Sequence, residues 1–287
     1  DVMRFLDNVM NDFIERAPDE FAHAKYSAMR ERSVGLGVMG LHSYFQKKNI
    51  PFGSVMSKVW NKKVFKNIQE KVDAASKSLA EERGACPDAE EYGMKERFSN
   101  KTAIAPTASI SIICGGSSPG IEPIAANSYT HKTLSGSFNV RNKYLKKILS
   151  KYKKDTDDVW SSITTNQGSV SHLDFLTAEE KDTFKTAFEI DQRWIVELGA
   201  DRTPHISQAQ SINIFIPADI HKKDLHNLHF QAWKKGLKSL YYCRSKSIQR
   251  AENVNKGTST DVTKNVYSQG QESNNESNNY EECLSCQ

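Results

Sequence analysis

Apolar residues near the start of the chain recur at helical spacing. Val2, Phe5, Leu6, Val9, Phe13 and Ile14 predict an amphipathic helix over residues 2–16, ended by Ala17-Pro18. The same period returns in Val55, Val59, Val64, Ile68, Val72, Ala75 and Leu79, a long helix closing near Gly84. A lysine-rich helix is expected over 142–154, and Leu225, Leu228, Ala232 and Trp233 predict another that Gly236 stops. Thr177-Ala-Glu-Glu180 has the form of a capping box and opens a helix expected to run through Phe184, Phe188, Trp194, Ile195 and Leu198. Between these helices the period changes. Residues 102–105 are short and apolar enough for a buried strand, which Pro106 stops because it has no N–H to give to a ladder. Residues 109–114 read as a second β-rich run, Ile212, Ile214 and Ile216 alternate as a strand that Pro217 closes, and 237–243 read as a last strand. Helices alternating with short apolar strands predict an α/β fold with much parallel sheet.

Glycine marks two places. Gly35, Gly37 and Gly40 match G-x-G-x-x-G literally, but no strand precedes them and no βαβ unit with an acidic residue about 20 positions on follows, so close backbone packing is the better reading. After Pro106 come Thr107, Ala108 and Ser109, small residues where backbone N–H groups would be left free, and Gly115 to Gly120 makes a second permissive loop. A strand ending in free N–H groups and hydroxyls can cradle an anion such as phosphate, although a small-residue loop more often only turns the chain.

Composition is that of a soluble globular protein: 287 residues, 26% charged, 38% hydrophobic, net charge +4. Six acidic and two basic residues follow Arg250, so that tail carries −4 and the remaining body +8, a balance suited to an anionic substrate. The 142–154 lysines lack aromatic interleaving and read as a solvated face, with no nucleic-acid partner expected. No apolar run approaches the roughly 18 residues of a membrane span, and no signal peptide is seen. Five cysteines do not suggest a disulfide framework, so a reducing, cytoplasmic compartment is expected. His221, His226 and His229 lack a carboxylate or thiolate at ligand spacing and read as surface histidines, so no metal site is expected. The chain opens at Asp1 inside a predicted helix, which suggests a piece of something longer.

Two domains are expected: a body, 1–250, and a flexible tail, 251–287, rich in Asn, Ser, Gln and Thr and too polar to offset the entropy of ordering. The tail ends in Cys283 and Cys286. No second pair completes a zinc site, and a polar tail is the wrong setting for a thioredoxin-like site. A shuttle dithiol that enters a site, exchanges with a disulfide and leaves is the third reading. Reach allows it: the 41 residues from Tyr242 to Cys283 have a root-mean-square span of roughly 32–38 Å.

Ala105-Pro-Thr-Ala-Ser109 with Gly120-Ile-Glu-Pro123, then Asp191-Gln-Arg-Trp194, Gln208-Ala-Gln-Ser-Ile-Asn213, Gly236-Leu-Lys-Ser-Leu-Tyr241-Tyr242 and the terminal cysteine pair resemble, in this order, the C-terminal part of the class I ribonucleotide reductase large (α) subunit. The resemblance implies a ten-stranded α/β barrel, of which this chain carries the later strands and helices, incomplete without an N-terminal partner. It implies that Pro106, Thr107, Ala108, Ser109 and Ile110 hold the phosphates of a ribonucleoside diphosphate. It implies that Tyr241 and Tyr242 pass an oxidising equivalent inward from a small subunit, and that Cys283 and Cys286 restore reducing equivalents, though their spacing is closer than is usual in the family. The family's radical cysteine lies in Asn-x-Cys-x-Glu; Cys86, Cys114 and Cys243 do not fit it. The implied partners are an N-terminal large-subunit part, a radical-generating small subunit of the di-iron type and a thioredoxin- or glutaredoxin-like reductant, with no cofactor bound by this chain itself. A non-catalytic interaction or regulatory module, its tail cysteines holding a metal or partner, is the competing reading.

Overall fold

The computed structural model describes residues 1–133 and 136–245. Along the chain run α1 (Val2–Arg16), α2 (Ala22–Glu31), α3 (Leu41–Lys47), α4 (Val55–Arg83), α5 (Pro87–Glu91), α6 (Ala108–Ile113), β1 (Ser128–Thr133), β2 (Gly136–Arg141), α7 (Lys143–Lys151), α8 (Asp157–Thr165), α9 (Ala178–Thr183), α10 (Gln192–Arg202), β3 (Ile214–Ile216), α11 (Lys222–Lys234) and β4 (Cys243–Ser245). The long helix starts on a Ser54 capping box and ends at Gly84, whose φ of 85° an L side chain would strain.

Four extended segments lie side by side and run parallel. Residues 34–36 bond to 100–103 through Val34 N–H to Asn100 O and Ala103 N–H to Leu36 O. Ile104 bridges Gln210 in parallel, and β3 pairs β4 in parallel with Ile214 opposite Cys243. Helices connect them, as parallel neighbours require. The two outermost segments, 34–36 and β4, each pair on one side only among the described residues, so the array is open. The second sheet is an antiparallel hairpin, β1 with β2.

The central core packs beneath this array: Leu41, Phe45, Phe52, Phe65, Ile104, Ile195, Leu198 and Ile212 form one buried cluster. Smaller clusters seat α7 and α8 around Trp160, and α11 against β3. Gly35 and Gly37 explain the close approach of the first two segments. A Cβ on Gly37 would stand 2.6 Å from Ala103 O, and one on Gly35 3.1 Å from Ala103 Cβ. Backbone packing, as the sequence predicts, is what these glycines do.

Three expectations need correction. Residues 109–114 are not a strand, because α6 spans 108–113. Thr107 turns into the left-handed region at φ 52° and starts the helix, and the β-branched Ile110, Ile112 and Ile113 are exposed there, with no neighbouring strand to hold them extended. The helix opened by Thr177 does not reach Leu198. The capping box forms, but α9 ends at Thr183, and a second helix begins where the Asp191 side chain accepts the Arg193 N–H. The intervening turn is held by Glu189, which accepts from the Thr186 N–H and hydroxyl at 2.8 Å. Finally, the last strand starts at Cys243 rather than Leu237. Residues 237–240 are not laddered, Leu237 and Leu240 packing instead on the core cluster and on α11.

A buried ion cluster ties the helical end together. Asp7 of α1, wholly buried, accepts hydrogen bonds from Arg32 Nη2 (2.6 Å), Arg83 Nη1 (2.8 Å) and Arg97 Nε (2.9 Å). On the opposite side of α1, Val2, Phe5, Val9 and Phe13 form an exposed apolar stripe.

Candidate active site

The strand at 102–104 ends in Pro106, and Thr107 turns the chain into α6. The first-turn N–H groups of that helix face back towards the turn, where they have no acceptor within the helix itself. Pro106, Thr107 and Ala108 are half-buried, and Ser109 and Ile110 are exposed. The turn is locked from behind. Thr107 Oγ1 accepts the Gly120 N–H at 2.8 Å, so the two permissive loops are stitched to each other. Gly120 sits at φ 44°, and a Cβ there would stand 3.0 Å from Ala105 O, so only glycine fits comfortably. The start of α3 holds the second loop in turn: the Ser43 hydroxyl accepts the Ser118 N–H at 2.8 Å, and the Ser118 hydroxyl accepts the Ser43 N–H at 3.1 Å. His42 Nδ1 accepts the Ile124 N–H at 2.9 Å, and burial pushes its pKa down to about 3, so it stays neutral with its proton on Nε2.

Tyr241 and Tyr242 lead into β4, and strand pairing fixes their backbone. The Tyr241 N–H donates to Ile212 O at 2.8 Å, the Tyr242 N–H to Asn213 Oδ1 at 2.9 Å, and Tyr242 O accepts from Ile214. Their rings lie 4.1 Å apart between centroids, and the hydroxyls 3.4 Å. Both are partly exposed, at 43% and 41%. Two phenols in contact, with a hydroxyl-to-hydroxyl path, can exchange a hydrogen-atom equivalent without a long tunnelling distance.

Register places the two features together. Ile104 lies opposite Gln210, so Pro106 is level with Ile212, which holds Tyr241. Pro106 and Tyr241 therefore stand level with each other on either side of the segment that carries Ile212, about 10 Å apart at the usual strand spacing; the turn follows its own strand, whereas the tyrosines precede β4.

A third element of the site is invisible to hydropathy. Glu122 is 7% exposed, and burial raises its pKa to about 7 against the opposing influence of Asn213 and Arg244. The Arg244 guanidinium carbon stands 5.9 Å from the centre of the Tyr242 ring. Glu122 and Asn213 both lie in motifs that carry the resemblance, but the sequence alone gives neither a role. The signal that could have drawn attention was a glutamate set between Ile121 and Pro123, in a loop that must be buried.

Cys283 and Cys286 lie outside the described residues. Cys86 is buried, whereas Cys114 and Cys243 are exposed. Among the described residues no group of three or more His, Cys, Asp or Glu is placed to hold a metal. His221, His226 and His229 are exposed; His221 caps α11, accepting the Lys223 N–H, and His226 stacks on Phe230. No described helix is long and apolar enough to cross a membrane.

The chain's sequence and fold match those of known proteins. The family described as "Ribonucleotide reductase, barrel domain" matches over residues 1–96 and 87–243. The chain belongs to the ribonucleotide reductase family. It is 48% identical over 258 residues to the ribonucleoside-diphosphate reductase large subunit of Invertebrate iridescent virus 6, covering 88% of this chain and 27% of that protein. Against the large subunit of Invertebrate iridescent virus 3 the identity is 44%, covering 91% of this chain and 41% of that protein. Among solved structures, the Actinobacillus ureae class Id ribonucleotide reductase alpha subunit superposes with a TM-score of 0.80 at 40% identity, covering 88% of this chain and 46% of that one. The chain thus spans less than half the length of each of these relatives.

Proposed function

We propose that this chain supplies the phosphate-binding turn, the tyrosine relay and the shuttle dithiol of a reductase that converts ribonucleoside diphosphates to deoxyribonucleotides by radical chemistry. The observation that carries the reading is the contacting pair Tyr241–Tyr242, held by residues 212–214 across one strand from the turn at 106–110. In this role Pro106, Thr107, Ala108, Ser109 and Ile110 bind the substrate phosphates, the first-turn N–H groups of α6 meeting the anion. Each tyrosine in turn loses one electron and one proton, becoming a neutral radical, and is restored by a hydrogen-atom equivalent from its neighbour on the relay. Cys283 and Cys286 then pass two electrons and two protons to the disulfide formed at the active site, becoming a disulfide themselves until an external dithiol reduces them.

The remaining parts come from elsewhere. An N-terminal large-subunit part would pair the open edges at 34–36 and β4, complete the ten-stranded barrel and bring the radical cysteine. The open edges and the apolar stripe on α1 support this. A di-iron-type small subunit would generate the radical, and a thioredoxin- or glutaredoxin-like protein would re-reduce the tail, in a cytoplasmic setting.

The test is reduction of ribonucleoside diphosphates by the chain alone, then with a family N-terminal part, a small subunit and a dithiol. Turnover is expected only in the complete mixture, and Tyr241→Phe or Tyr242→Phe should bring it to background without unfolding the protein. Full turnover in either mutant would remove the relay assignment.

A further inference from the structure

Beside the tyrosines lies a polar cluster that the proposed function does not use. Glu122 Oε1, Asn213 Nδ2 and Arg244 Nε are each shut off from solvent and have no well-aligned hydrogen-bond partner among the described residues. Protein interiors pair nearly all such atoms, so three from neighbouring side chains call for an explanation. They come from three segments: the loop that locks the phosphate turn, the residue just before β3, and β4.

Building on the relay reading, we infer that Glu122 is a positioning residue for Tyr242: its carboxylate holds Asn213 and Arg244 against that tyrosine and sets the charge the phenol faces. Two routes lead from Glu122 to Tyr242. Through Asn213 it reaches the backbone, because Asn213 Oδ1 accepts the Tyr242 N–H at 2.9 Å. Through Arg244 it reaches the ring, 5.9 Å from the guanidinium carbon. Asn213 and Arg244 are the same two residues that act on the Glu122 carboxyl. Among the described residues the only charge acting on it is Arg244, from β4; the segment entering β3 offers the neutral Asn213, and residues 119–123 include no other ionisable group.

The consequence is electrostatic. An ionised Glu122 offsets the positive charge of Arg244 beside Tyr242. Neutralising Glu122 leaves that charge uncompensated and favours the phenolate, in surroundings where charges act more strongly than in water. Because burial lifts Glu122 to about 7, its charge changes within the neutral range. The loop that carries it is bonded to Thr107, so the same segment touches both the phosphate turn and the relay.

The test uses the assembled reductase with 3-nitrotyrosine at position 242, whose absorbance reports ionisation of the phenol. Glu122→Gln should lower that phenol's pKa by about half a unit or more and flatten the turnover pH profile near neutrality. Glu122→Asp, which keeps the charge, should stay closer to the unmodified protein. Arg244→Gln should shift the phenol the other way, and makes the same test if Glu122→Gln does not fold. An unmoved phenol in the Glu122 and Arg244 variants overturns the inference while Tyr242→Phe, dead in turnover, leaves the relay standing. Conversely, an active Tyr242→Phe removes the relay whatever the nitrophenol reports.

Discussion

Two buried carboxylates, Asp7 and Glu122, have been given opposite surroundings. At Asp7 burial by itself would raise the pKa, but hydrogen bonds from Arg97, Arg32 and Arg83 outweigh it and hold the carboxyl below its usual value. At Glu122 burial wins, and Asn213 and Arg244 recover only part of the cost, leaving it at about 7. The first is a saturated network that fastens α1 to the end of α4 and to the segment at 97. The second keeps polar atoms unsatisfied beside a tyrosine pair. A buried carboxylate ringed by arginines stays ionised, whereas one with few compensating partners retains a proton that neutral pH can remove.

The widest separation between the two should come from opposite effects on stability. Asp7→Asn strips the negative centre from three arginines and should cost about 3–5 kcal/mol, as losing one partner of a buried ion pair does. Denaturant unfolding of the large subunit would show it, and a loss under about 1 kcal/mol would mean the cluster is replaceable. Because the Asp7 pKa is depressed, its contribution is complete above the ordinary carboxylate range and disappears as pH falls through the native value. The mutant should therefore lose this acid-dependent component.

Glu122→Gln should do the reverse. A carboxyl raised from 4.5 to about 7 in the folded state makes the protein less stable as pH climbs from about 4.5 to about 7. At pH 8 the mutant should therefore be more stable than the parent by up to about 3 kcal/mol, with little difference at pH 4. A parent whose stability relative to the mutant does not vary between those pH values would break the contrast.

The smallest effect probes redundancy. Arg83 is the most exposed of the three arginines, with its side chain 25% accessible, and Arg83→Ala leaves Arg32 and Arg97 on Asp7. A loss of about 1 kcal/mol is expected, in the range of partly exposed pairs. A loss as large as that of Asp7→Asn would show that the cluster acts as one unit.

Local pattern made much of the helical frame legible. The stripe on α1, the Ser54-to-Gly84 length of α4 and the capping box at Thr177 all rest on interactions within a few residues of one another. The 109–114 run misled because isoleucines favour strands only where a neighbouring strand packs them, and there none does. The break between α9 and α10 was hidden because the apolar period continues across it, while the turn is held by polar side chains.

By itself, the sequence determined the alternation of helices and short apolar segments, the close backbone contact at Gly35 and Gly37, and, through matching words, the turn at 106–110 and the pair Tyr241–Tyr242. Only the tertiary structure decided that the turn and the tyrosines stand level across one strand of a parallel array, that Ser43 and His42 brace the loop between them, and that Glu122 is buried against Asn213 and Arg244. The reason is range. Propensity and capping act over one helical turn and leave their mark in the sequence, but a carboxylate's charge is set by residues about 90 and 120 positions away, which meet it only when strands align and water is excluded.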